Sequence, residues 1–238
     1  MAVNGGRSWL LRIAVLLAGV FAISGCGPEE SRQPDAAFTE SVPAAARGEG
    51  FDFYVLSLSW SPSYCEAEGR QANRQQCAGG RPYAFVVHGL WPQFERGYPQ
   101  ECSTDEPDVP RRLQGELYDL MPSSGLIRHE WRKHGTCSGL SQRDYFDVLR
   151  QARERVTVPA EFSRLSAYRT LDPNRAEAAF LEANPGLAAG GVAVTCDKRY
   201  LREVRICMNK DLSFRKCDEV DRRACRLPKV VMPPIRGG

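Results

Sequence analysis

The chain carries three histidines, His88, His129 and His134, and all three fall in two short segments. One is His88-Gly89-Leu90-Trp91-Pro92. The other is His129-Glu130-Trp131-Arg132-Lys133-His134-Gly135-Thr136-Cys137. An α-helix turns about 100° per residue, so relative to His129 the second segment would place Lys133 about 40° round, Glu130 about 100° and His134 about 140°. Two imidazoles, a carboxylate and an ammonium then share one side. Trp131 and Arg132 point elsewhere, and Trp131 is the natural core anchor. Such a face suits proton transfer beside negative charge.

A zinc peptidase needs His-Glu-x-x-His, with the histidines four apart on one helix face. Here they are five apart, too far round to converge on one ion. No compact carboxylate cluster stands elsewhere to hold a catalytic metal, so neither a metal nor any other cofactor is expected. Imidazole titrates near pH 6.5, so one ring can be neutral while another is protonated. That pair supplies a general base and a general acid. An RNA phosphodiester carries its own nucleophile, the adjacent 2′-hydroxyl. Deprotonating it drives attack on phosphorus, and the departing 5′-oxygen needs a proton. Lys133 and a protonated histidine could stabilise the charge that gathers between those steps. The competing readings are a metallohydrolase, a polyanion-binding surface without catalysis, and a surface helix with incidental histidines.

Phe51–Trp60 is apolar with partial alternation and reads as a strand. Tyr83–Val87 reads as a short buried strand that delivers His88 at its end. Residues 94–111 are polar and proline-bearing, a long loop. Leu113, Leu117, Leu120 and Met121 recur at helical spacing. Leu126–His134 reads as a short helix stopped by Gly135. Ser141 and Asp144 open another helix, whose apolar face is Tyr145, Val148, Leu149, Ala152 and Val156. Asp172-Pro173 caps a further helix that closes before Asn184-Pro185-Gly186. Val192–Thr195 and Tyr200–Cys207 are β-like, with Val204 and Ile206 on one face. Strands at both ends and helices between predict an α+β fold, a mainly antiparallel sheet packed with helices.

The 238 residues, 26% charged and 42% hydrophobic with a net charge of +3, suit one globular domain with leader segments. Arg7 and Arg12 flank and interrupt a short apolar run, Leu10–Ile23, which is too short for a membrane span. It reads as an export signal. The run ends in Ile23-Ser24-Gly25-Cys26. Small residues leading into a single cysteine predict a lipoprotein, with Cys26 lipidated as the mature N-terminus. The alternative is ordinary cleavage that discards the Cys26 thiol. The expected organisation is therefore a signal peptide with lipobox (1–26), a flexible linker (27–50) and a catalytic domain (51–238). Of nine cysteines, removing Cys26 leaves eight: Cys65, Cys77, Cys102, Cys137, Cys196, Cys207, Cys217 and Cys225. An even number in an exported chain predicts four disulfides, although the residues alone leave their pairing open. No Cys-x-x-Cys pair favours structural zinc. The expected location is the periplasm or cell envelope, with a lipid anchor in the membrane and the chain a monomer.

The two histidine segments resemble the paired active-site motifs of the ribonuclease T2 family. The resemblance extends to Phe53–Cys65, with its Ser59-Trp60-Ser61-Pro62 core, and to Tyr200–Cys217. It covers residues from about 51 to about 225. It implies a disulfide-stapled α+β ribonuclease that cleaves single-stranded RNA without metal, through a 2′,3′-cyclic phosphate to 3′-phosphate ends. It also implies roles: His134 as general base, His88 as general acid, His129 as phosphate ligand, and Glu130 with Lys133 supporting the intermediate. Trp91 matches a base-stacking aromatic. Gln93 stands where some members carry an adenine-contacting aspartate. Ser59 stands where some carry a glutamine at a second base site. The implied pairings are Cys65–Cys77, Cys102–Cys137, Cys196–Cys225 and Cys207–Cys217.

Overall fold

In Phe53–Trp60 (β1) every residue except Ser59 is buried, the signature of a strand covered on both faces. In the computed structural model, which describes residues 48–78 and 81–236, β1 sits inside a four-stranded sheet. Cys26, the export signal and most of the linker lie outside the described residues. The chain continues through α1 (Ser61–Glu68), α2 (Arg74–Cys77), β2 (Phe85–Gln93) and α3 (Arg111–Glu116). Then come α4 (Ser124–Lys133), α5 (Gln142–Glu154), α6 (Ala160–Ser163), β3 (Arg169–Leu171) and α7 (Pro173–Ala183). It ends with β4 (Val192–Cys196), β5 (Leu201–Met208), α8 (Asp218–Asp221) and β6 (Val230–Met232). The main sheet runs β2-β1-β5-β4, antiparallel at every pairing. The α+β class read from the sequence is the class observed. A small β3–β6 pair is an addition, because strands of three residues carry too little alternation to be read.

The alternation of side chains gives the sheet two different faces. One presents Leu56, Leu58 and Trp60 from β1 with Val204 and Ile206 from β5 to a single large core. Helices close that core with Ile127 and Trp131 from α4, Tyr145, Leu149 and Ala152 from α5, and Phe180 from α7. The other face carries a small apolar cluster in which Phe53, Val55, Ala193 and Cys207 meet Val220 of α8. Beyond that cluster the second face is polar.

Local caps define the helices. The Ser123 hydroxyl accepts from the Leu126 N–H at 3.2 Å, Ser141 from Asp144 at 3.2 Å, and Asp172 from Asn174 at 2.9 Å. Pro173 occupies the first turn of α7, where its missing N–H costs nothing. The disulfides are Cys65–Cys77, Cys102–Cys137, Cys196–Cys225 and Cys207–Cys217, the pairings that the resemblance implies. The last residues of the expected tether lie against the domain, where the Glu49 N–H donates to the Ser138 carbonyl at 2.9 Å.

Candidate active site

His88 does not end its strand, as its apolar run suggested. β2 continues to Gln93, and His88 is the extra residue of a β-bulge: Ser57 pairs with Gly89 and the next residue, Leu58, pairs with Val87. A bulge of this kind re-aims a side chain. Val87 stays in the core, whereas His88 is one-third exposed and turns to the polar face with Gly89. β2 is an edge strand, so Pro92, which has no N–H to donate, is tolerated within it.

Helix α4 brings the second segment. Trp131 anchors it in the core and donates its indole N–H to the Glu106 carbonyl at 2.6 Å. Glu130, only 1% exposed, turns from the next position toward His88. The helix ends at Lys133, one residue earlier than the sequence suggested. His134 has left the helical conformation (φ −122°, ψ −47°), though its N–H still donates to the Glu130 carbonyl at 3.0 Å. Gly135 is not a left-handed stop. It is needed for close packing: a β-carbon there would stand 2.4 Å from the Trp131 ring and 2.9 Å from Tyr145. The Cys102–Cys137 bridge ties the chain just beyond His134 to the long loop, and the Glu101 N–H donates to the Lys133 carbonyl at 2.9 Å.

These elements converge on one cleft of roughly 350 Å³, whose walls include His88, Trp91, His129, Glu130, Lys133 and His134. All five residues predicted to carry the chemistry are therefore brought together. Gln93 lines the same cleft. Trp91 is the spacer, with ring centroids 5.4 Å from His88 and 5.3 Å from His134. Its indole N–H donates to Glu130 at 2.7 Å, and the Arg205 guanidinium lies 5.0 Å from its ring centre. Glu130 also stands 3.5 Å from His88 Nε2. Gly89 makes this approach feasible, because a β-carbon there would sit 2.0 Å from the Glu130 carboxylate. A second cavity shares His88 and His129 with the first and is lined further by Ser59, Tyr64, Gln76 and Arg202. His88 and His129 thus stand between two recesses.

The electrostatics separate the imidazoles. Burial, then the positive charges of Lys133, His129 and His88, push His134 down to about 3. Its Nδ1 is buried without a hydrogen-bond partner. Burial and the Lys133 ammonium also lower His129. His88 goes the other way. Burial alone would lower it, but the hydrogen bond to Glu203 and the charges of Glu130 and Glu203 outweigh burial and leave it raised. Desolvation lifts Glu130 to about 7, against the pull of His88 and the Trp91 hydrogen bond.

Glu203 escaped the motif reading. It lies on β5, and its carboxylate contacts His88 Nδ1 directly. The available signal was the alternation in Leu201–Met208. Glu203 and Arg205 share one face of a strand whose other face, Val204 and Ile206, is core. Among the described residues no group of three or more His, Cys, Asp or Glu is placed to hold a metal ion.

Known proteins bear on the same question. The ribonuclease T2 family model matches residues 51–217. A ribonuclease of Aeromonas hydrophila is 38% identical over 208 residues, which cover 84% of this chain and 93% of that protein. Ribonuclease DdI of Dictyostelium discoideum is 26% identical over 207 residues, 79% of this chain and 87% of that one. Among solved structures, RNase NT in complex with 5′-AMP matches with a TM-score of 0.59 at 27% identity, covering 78% of this chain and 100% of that chain. An RNase-related protein from Calystegia sepium matches in fold, with a TM-score of 0.63 at 21% identity over 79% of this chain and 100% of that chain.

Proposed function

Because the chain belongs to the ribonuclease T2 family, we propose that His134 and His88 are the base and acid of its reaction. The protein is an endoribonuclease that cleaves RNA without metal, through a 2′,3′-cyclic phosphate to 3′-phosphate ends. The observation that carries the assignment is the opposed electrostatics of two imidazoles on one cleft. Burial and the neighbouring cations push His134 down to about 3, whereas Glu203 and Glu130 raise His88 above its ordinary value. A lowered imidazole suits proton acceptance and a raised one suits proton donation.

His134 takes the 2′-hydroxyl proton as O2′ bonds to phosphorus. The P–O5′ bond breaks and His88 gives its proton to O5′. His129 and Lys133 bind the phosphoryl oxygens, and their charge offsets that of the pentacoordinate intermediate. An arriving phosphate counters the positive charges that depress His134, so binding makes the base stronger. In the second stage His88, now neutral, takes a proton from water. Water oxygen bonds to phosphorus, the P–O2′ bond breaks, and His134 returns a proton to O2′. Glu130 fixes Trp91 and faces the charged His88. Trp91 and Gln93 serve as base contacts on a single-stranded substrate, and the shared position of His88 and His129 between two recesses supports a base on each side.

The domain is carried by an export signal (1–26) and a tether (27–50), and a lipid on Cys26 anchors it as a monomer in the periplasm or cell envelope. The disulfides support an oxidising compartment. Substitution tests the roles: His88→Ala and His134→Ala each abolish turnover of a dinucleotide while leaving the fold intact. Near-full activity in either variant overturns that residue's assignment.

A further inference from the structure

We infer that Glu203, braced by Arg205, is a positioning residue that orients His88 and supplies its counter-charge during proton donation. The inference rests on the reading of His88 as the general acid. Its warrant is geometric. β1 lies between β2 and β5, so a contact from His88 to Glu203 must span two strand spacings, roughly 10 Å. Glu203 pairs with Ser59, and Arg205 with Ser57. Two serines on the intervening strand are small enough to let the imidazole and the carboxylate meet above them. The bulge at His88 aims the ring toward β5.

The contact uses Nδ1 of His88 and Oε1 of Glu203. Occupying Nδ1 leaves Nε2 as the nitrogen near Glu130, on the wall of the cleft. A hydrogen bond at one imidazole nitrogen fixes the tautomer and orientation of the other. Glu203 is itself held. Its second oxygen accepts from Arg205 Nε at 2.9 Å and Nη2 at 2.7 Å, and its side chain is 11% exposed. The same guanidinium lies over Trp91. A charged pair on β5 therefore locks the acid and its spacer together.

The groups around His88 are few. β5 offers Glu203, Arg205 and Arg202, the last engaged with Asp197 and Glu68. α4 offers Glu130, His129 and Lys133, and His134 follows its end. Burial lowers His88. Glu203, through both the hydrogen bond and its charge, and Glu130 raise it, and Arg205 lowers it. Glu203 is held down to about 2: its burial is outweighed by His88 and Arg205. It therefore stays a carboxylate throughout the range in which His88 donates.

The test compares wild type, Glu203→Gln and Arg205→Gln, with folding checked by near-ultraviolet circular dichroism. His88 is titrated by NMR, and kcat/KM on a dinucleotide is followed against pH. Removing one counter-charge from Glu203 should lower the His88 titration and the alkaline limb of the profile together, by about one to two pH units. Removing the Arg205 charge should move both upward. A residue that served only the fold would lower kcat at every pH without these opposed displacements. If neither titration nor limb moves in Glu203→Gln, the inference is overturned while the role of His88 stands. If the titration falls but the limb does not, His88 is not the acid, and both readings fall. If Glu203→Gln does not fold, Glu203→Asp decides: a carboxylate drawn back by one methylene should lower the His88 titration and the limb together by a smaller amount, and an unmoved pair overturns the inference.

Discussion

Gly89→Ala places one methyl group where the site has no room. Its β-carbon would stand 2.0 Å from Glu130 Oε2, 2.8 Å from Glu130 Cδ and 2.4 Å from Trp91 Nε1, whereas real β-carbon contacts essentially never fall below 3.0 Å. The Glu130 carboxylate must therefore retreat by about 1 Å, from 2.0 Å to at least 3.0 Å. It cannot do so freely, because it is buried and bonded to Trp91 at 2.7 Å. Trp91 moves with it, and Trp91 sets the spacing of His88 and His134. Misplacement by about 1 Å costs on the order of 100-fold in rate. Overpacking costs about 1–3 kcal/mol, which for a domain of this size lowers Tm by roughly 3–10 °C. Dinucleotide cleavage and thermal unfolding measure the two effects separately. Gly115→Ala is the control, since that glycine is exposed and a β-carbon there meets nothing within 4 Å. A Gly89→Ala protein with wild-type Tm and activity within about threefold of wild type would refute the close-approach argument.

Three further outcomes are expected. The pH profile of kcat/KM is bell-shaped. The ascending limb follows loss of the His134 proton and lies below pH 6.5, toward 3; the descending limb follows loss of the His88 proton and lies above 6.5. A profile with the ascending limb above 6.5 contradicts the assignment. Replacing Cys102 and Cys137 by serine costs about 2–5 kcal/mol in a denaturant titration. It also lowers kcat in the fraction that remains folded, because the bridge holds the chain beyond His134. Unchanged kcat would remove any positioning role from that bridge. Finally, Cys26→Ser releases the protein from membranes on fractionation, and unchanged fractionation rejects the lipid anchor.

The histidine segments were legible because their chemistry is local. Glu130, Lys133 and the histidines stand in short runs, and Trp131 marks which side of the helix enters the core. The strands were legible where apolar residues alternate or run together, as in Phe53–Trp60 and Leu201–Met208. The bulge at His88 was not, since it exists only as a mismatch between two strands 30 residues apart in the chain. Gly135 read as a helix stop and Gly89 carried no reading, yet their missing side chains make room for Trp131 and Glu130, neighbours that only tertiary packing brings close. Glu203 was hidden for the same reason. It lies 115 residues from His88 in the chain, and only the sheet register sets them side by side. Local composition recorded which groups were present, and topology decided which of them touch.

The metal-free attack of the 2′-hydroxyl, driven by two imidazoles, is open to a single experiment: a defined RNA is digested in excess chelator and the new ends are identified. Cleavage should be undiminished, with 2′,3′-cyclic phosphate appearing first and 3′-phosphate following, and no cleavage at a linkage whose 2′-hydroxyl is replaced by hydrogen. Products ending in 5′-phosphate, or activity that returns only when a divalent metal is restored, would contradict it.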